Sequence, residues 1–164
     1  MKNIGFKISV IICILLLSFL LIWGCLNQLQ NVSQKEKYID GISTGKSLKI
    51  NAREVAKISF EEAKGEAEKE GYSFANNSRA GIISYIASIQ EPNLSYNALT
   101  ITIWYNSSTN ETWLEADYLL ENPFPQSNLK EKEQYVKDSV NEIADICGLT
   151  IDWSEAKWTI SYVD

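Results

Sequence analysis

The sequence predicts an α+β domain: two helices packed on one face of a small antiparallel sheet, in the order α-β-β-β-α-β, behind an N-terminal membrane-targeting segment. Three observations predict it. Residues 99–118 contain a hairpin whose register sorts apolar from polar residues on both faces. Two segments, near 52–70 and 129–147, repeat apolar residues at helical spacing between cap residues and a terminating glycine. A further strand precedes the hairpin and another follows the second helix.

The hairpin carries the most information. Leu99–Tyr105 and Thr112–Tyr118 flank a polar turn, Asn106–Glu111, and folding them symmetrically makes paired residue numbers sum to 217. Ile103 then faces Leu114, Ile101 faces Ala116 and Leu99 faces Tyr118, an apolar surface. The opposite surface pairs Thr102 with Glu115, Thr100 with Asp117 and Trp104 with Trp113. Slipping the register by one residue would invert both surfaces. Gly81–Ile89 has apolar residues on both faces and reads as an interior strand, and Trp158–Val163 as the last one.

Asn51–Glu70 reads as one helix, its buried face formed by Val55, Ala56, Ala63 and Ala67. Asn51 with Glu54 makes a capping box, and Gly71 ends the helix. Ser59 with Glu62 forms a rival start, and Ile58 is out of phase with the single-helix stripe. The second helix runs from Leu129 to Cys147, with Asn128 and Glu131 as its capping box. Val136, Val140, Ile143 and Cys147 make its stripe, and Gly148 stops it. Asn122-Pro-Phe-Pro-Gln is expected to break the chain before that helix, and Leu149–Trp153 to be short and extended.

The leader decides where this domain is delivered. Lys2 and Lys7 precede an uncharged apolar run from Ile8 to Trp23, between a signal-peptide core and a full membrane span in length. Ile22-Trp23-Gly24-Cys25 resembles the lipobox of prokaryotic lipoproteins: an aliphatic residue, a variable one, a small one, then the cysteine that is lipidated. Trp23 stands where that pattern usually has a small or aliphatic residue. The resemblance implies cleavage before Cys25 and a lipid on its sulfur; the other reading is an uncleaved signal anchor. Both leave the remainder on the extracytoplasmic face of the cell membrane. The chain therefore divides into residues 1–25 as leader or anchor, 26–49 as a polar tether and 50–164 as one domain.

Composition excludes several classes of function. Thirteen bases and 21 acids follow Cys25, a formal charge of −8, so there is no basic footprint for nucleic acid. The chain has no histidine, which removes histidine bases, triads and metal ligands. No catalytic, metal or cofactor motif is present. Gly41-Ile-Ser-Thr-Gly45-Lys46-Ser47 is one residue short of a phosphate loop, no apolar strand is expected before it, and an extended Leu48-Lys49-Ile50 follows where a helix is needed. Cys147 lies on an apolar stripe and reads as an inert buried thiol. Asp152 and Glu155 flank a turn and read as its caps. Asn31, Asn76, Asn93, Asn106 and Asn110 each head a sequon, candidate N-glycosylation sites of an exported glycoprotein.

Ile58-Ser59-Phe60-Glu61-Glu62-Ala63-Lys64-Gly65-Glu66-Ala67, followed by strands, resembles the start of PepSY-type domains, small extracytoplasmic modules with a helix on a three-stranded sheet. The resemblance spans residues 58–118 and implies a non-catalytic interaction module. It lacks that family's aspartate-glycine turn, since Asp117 runs into Tyr118-Leu119-Leu120. Trp104 and Trp113 are the candidate binding surface, a pair of exposed indoles for a protein or glycan partner. The structural alternative is a cross-strand pair, or a layer covered by Trp153 and Trp158. The expected function is thus a membrane-anchored binding module. The alternatives are a structural envelope glycoprotein and an enzyme that uses carboxylates alone.

Overall fold

The structure is a computed structural model that describes residues 36–90 and 98–163. The leader, Cys25, Asn31 and Asn93 lie outside the described residues. From Lys37 onward the chain is one α+β unit built on a six-stranded, wholly antiparallel sheet. Its strands are β1 (Tyr38–Ser43), β2 (Ser73–Asn76), β3 (Ile82–Ile89), β4 (Leu99–Asn106), β5 (Glu111–Pro125) and β6 (Thr159–Tyr162). They lie in the order β2-β3-β4-β5-β1-β6. The helices are α1 (Ala52–Val55), α2 (Phe60–Lys69) and α3 (Leu129–Cys147).

The hairpin has the expected register, with Leu99 opposite Tyr118 through Trp104 opposite Trp113. Its apolar face is the floor of the core. Leu99, Ile101, Ile103, Leu114, Ala116 and Tyr118 are almost wholly buried. Val136, Val140, Ile143 and Cys147 of α3 close over that floor, and Ala63 and Ala67 of α2 join the same core. The small alanines let α2 approach the sheet, beside a packed trio of Phe60, Phe74 and Tyr85 rings. The glycine at the end of α3 has φ +65, and the closing bonds run from Gly148 N to Asp145 O and from Leu149 N to Ala144 O. That is a Schellman close, with Leu149 and Ala144 both buried.

Four expectations need correction. Residues 38–49 do not belong to the tether: Tyr38–Ser43 is a sheet strand between β5 and β6. The expected single helix over 52–70 is two, because Ser59 turns extended at φ −80, ψ 104. Tighter bonds from Lys57 N to Glu54 O and Ile58 N to Val55 O finish α1. The break lets Ile58, out of phase for one helix, pack against the core.

Neither capping box forms as drawn. Asn51 Oδ1 accepts from Arg53 N at 2.8 Å, but Glu54 turns away to accept from Thr150 N at 2.8 Å. Asn128 makes no side-chain cap bond. Finally, Asn122–Pro125 continues β5 instead of ending it. A register shift between the Ile39–Phe124 and Gly41–Leu119 pairs absorbs Pro123 at an irregular point, where a missing N–H is tolerated, while Pro125 ends the strand opposite Tyr38.

Candidate functional site

The three α-helices of the described residues share one face of the sheet, so side chains of the other parity point away from the core. That second face carries Thr100, Thr102 and Trp104 from β4, and Trp113, Glu115 and Asp117 from β5. β3 adds Ser84 opposite Trp104 and Ile86 opposite Thr102. The two indoles are stacked, centroids 5.3 Å apart and planes 14° from parallel. They are not equally presented. Trp113 is 9% exposed, whereas Trp104 is half-buried.

The segment after β1 explains the difference. Gly45–Ser47 form a 3-10 turn that brings the Lys46 ammonium over the Trp113 ring, 4.7 Å from its centroid. Thr44 fixes this turn to β5: it is 1% exposed, its hydroxyl donates to Gly45 O, and it accepts from Ala116 N at 2.9 Å. Ser47 Oγ donates to Thr44 O at 2.6 Å and accepts from Lys157 N at 2.9 Å. The result is a ladder, Lys46 over Trp113 beside Trp104, with Trp104 as its presented end. The expected pair of exposed indoles is one presented ring on one packed ring.

Carboxylates border the ladder. Glu115 is held above the usual carboxylate range, first by burial and next by the charge of Asp117, with Lys46 acting in the opposite sense. Beyond Lys46 an open cleft of about 770 Å³ is lined by Lys46, Lys49 and Lys157 together with Ser47, Ser154 and Glu155. Among the described residues no carboxylate lies within 4 Å of those three ammonium groups. Lys46 was visible in the sequence inside the phosphate-loop-like stretch. β1 runs into that stretch through Ser43, but Leu48 is extended and no helix follows directly on Ser47, so no phosphate loop forms. The role of Lys46 against Trp113 had no local signal, because it depends on the pairing of β1 with β5.

The other singled-out residues are distributed elsewhere. Trp153 and Trp158 stack at 6.3 Å, with Lys137 of α3 over both rings and Trp153 Nε1 donating to Asn141 Oδ1 of α3. They therefore sit on the helical side and do not cover Trp104. Cys147 is buried, and burial pushes its thiol up to about 12. Asp152 caps its turn by accepting from Ser154 N at 2.9 Å, and the Ser154 side chain and backbone bonds hold its carboxyl low.

Asn76, Asn106 and Asn110 are at the sheet end nearest the indoles, and Asn76 and Asn106 each accept a bond from the backbone two residues on. Among the described residues no group of three or more acidic or cysteine side chains is placed to hold a metal, and no helix is long and apolar enough to cross a membrane. No protein family matches the chain, and a search of curated proteins finds no relative. The likeness to PepSY-type domains rests on its motif alone.

Proposed function

We propose that this chain is a membrane-anchored binding module on the extracytoplasmic face, non-catalytic, that takes a saccharide on the sheet face around Trp104. The observation that carries the reading is the ladder itself: a presented indole, backed by a second ring and an ammonium, on a face that no α-helix of the described residues covers. A sugar ring has an apolar C–H face and a rim of hydroxyls. Trp104 supplies a flat apolar partner for the first. Thr100, Thr102, Glu115 and Asp117 supply acceptors and donors for the second. The anchor is the lipidated Cys25 or an uncleaved leader, and glycans on Asn76, Asn106 and Asn110 would surround the same end.

The test is saccharide binding by the full chain in detergent, on an array of envelope-type glycans, for wild type and Trp104→Ala. Binding that disappears in Trp104→Ala while the fold persists supports the reading. Binding unchanged by that substitution, or no saccharide bound by the wild type, refutes it and leaves a protein partner or a purely structural glycoprotein.

A further inference from the structure

The large apolar side chains that stay exposed among the described residues are four: Tyr38 at 47%, Leu119 at 55%, Tyr162 at 40% and Val163 at 47%. They are not scattered. Tyr38 begins β1, and Val163 N bonds to Tyr38 O at 3.0 Å. Tyr162 pairs with Ile39, and Leu119 pairs with Gly41 in the neighbouring strand. A Cβ placed on Gly41 would lie 3.2 Å from Leu119 Cδ2, so the leucine lies across the β1 backbone toward β6. All four therefore occupy one corner of the sheet. The hairpin turn with Asn106 and Asn110 is at the opposite end, because β5 runs from that turn toward Leu119.

This corner is also where the chain enters the domain, since β1 follows directly on Lys37. With β1 assigned to the sheet, the tether shrinks to residues 26–36. Eleven residues reach at most about 40 Å when fully extended. A surface held that close to a bilayer meets it at high effective concentration. The chemistry of the corner fits the interfacial zone: two tyrosines, two aliphatic side chains and a lysine, Lys37, whose ammonium is 5.4 Å from the Tyr162 ring centroid. Asp40, at the bulge among them, has one carboxylate oxygen shut away from solvent. The acidic charge of the exported part rules out attraction by anionic lipid, so apolar contact is the available means.

We infer that the Tyr38–Leu119–Tyr162–Val163 corner rests in the lipid interface, which points Trp104 and the hairpin turn away from the membrane. This rests on the proposed anchoring, and the experiment separates the two. The full chain is reconstituted in phosphatidylcholine vesicles with p-benzoylphenylalanine in place of Leu119, of Val163 or, as the distal control, of Thr109. Flotation reports anchoring, and mass spectrometry after irradiation reports what each position touches. The expected result is flotation of all three, with several-fold more lipid adduct at 119 and 163 than at 109. Flotation with equal, low lipid adduct at all three positions overturns the corner contact and leaves the anchor standing. Adducts at 119 or 163 to a second copy of the chain also overturn it. A chain that does not float overturns the anchor, and the corner contact with it.

Discussion

Trp113→Ala and Trp104→Ala should differ in what they remove, although the two rings stack on each other. Trp113 is 9% exposed and carries Lys46 on its outer side. A tryptophan buries about 150–250 Å², and at roughly 25 cal/mol per Å² that is about 5 kcal/mol. Allowing for the ~10–40% already buried in a realistic unfolded chain leaves about 3–4 kcal/mol. Loss of the stacked ring and of the ammonium over the indole adds ~0.5–1 kcal/mol each. Trp104 is less completely buried, so the same reasoning gives a somewhat smaller loss, about 2–3 kcal/mol. One kcal/mol corresponds to about 3–5 °C in Tm for a domain of this size. Trp113→Ala should therefore lower Tm by roughly 20 °C, and Trp104→Ala by clearly less. Thermal and urea unfolding of both variants and the double variant, with saccharide binding of each folded form, completes the assay. A double-variant coupling of ~0.5–1.5 kcal/mol is expected for the stack. Equal losses, or a larger loss for Trp104→Ala, would refute the assignment of Trp104 as the presented ring.

Three further outcomes are expected. The mature N-terminus, read by mass spectrometry of membrane-bound protein, should be a lipid-modified Cys25; an intact Met1 would replace the lipoprotein with the signal anchor. Thr44→Val should lose about 1–3 kcal/mol in urea unfolding, because Ala116 N is left without its acceptor in a buried setting; a change below ~0.5 kcal/mol would show that the turn is not fixed by this bond. Stability should also fall on the alkaline side. The folded Cys147 thiol, pushed up to about 12, stays protonated where the unfolded thiol, near 9, does not, so stability intact below about pH 9 is lost as pH rises toward 12, on the order of 4 kcal/mol in full. Tyr72, raised chiefly by burial, acts in the same direction above its ordinary value. Cys147→Ala should flatten the slope between pH 9 and 11 in thermal melts. The wild-type thiol should react slowly with a maleimide until unfolded.

The hairpin and α3 were legible because each satisfies two constraints at once. Residues 99–118 sort both faces in one register, and α3 has both a stripe and a glycine that can take φ +65. β1 was not legible, for a local reason. Its buried apolar side chains, Ile39 and Ile42, are three apart because the chain bulges at Asp40, so no alternation of period two exists to be read. Pro123 misled in the same way, since the register shift that absorbs it is set by β1, about eighty residues earlier. β2 is an edge strand of four residues with one buried side chain, Phe74, too short to show a pattern. The out-of-phase Ile58, by contrast, did carry the break between α1 and α2.

The site was half legible for a related reason. Pairing Trp104 with Trp113 needs only the hairpin, and that much is local. Which indole is presented depends on Lys46, and Lys46 reaches Trp113 only because β1 lies beside β5. The same strand bears on the proposed orientation of the domain. With Tyr38–Ser43 in the sheet, eleven residues separate Cys25 from Lys37, and under the proposed anchoring that stretch would keep the domain near the membrane. The corner it enters bears the exposed apolar side chains, while the ladder sits toward the far end of β4 and β5. A hydroxyl- and carboxylate-bordered indole there would face whatever lies beyond the membrane surface. Trp104→Ala therefore tests the ligand, and labels at 119 and 163 test the geometry that offers it.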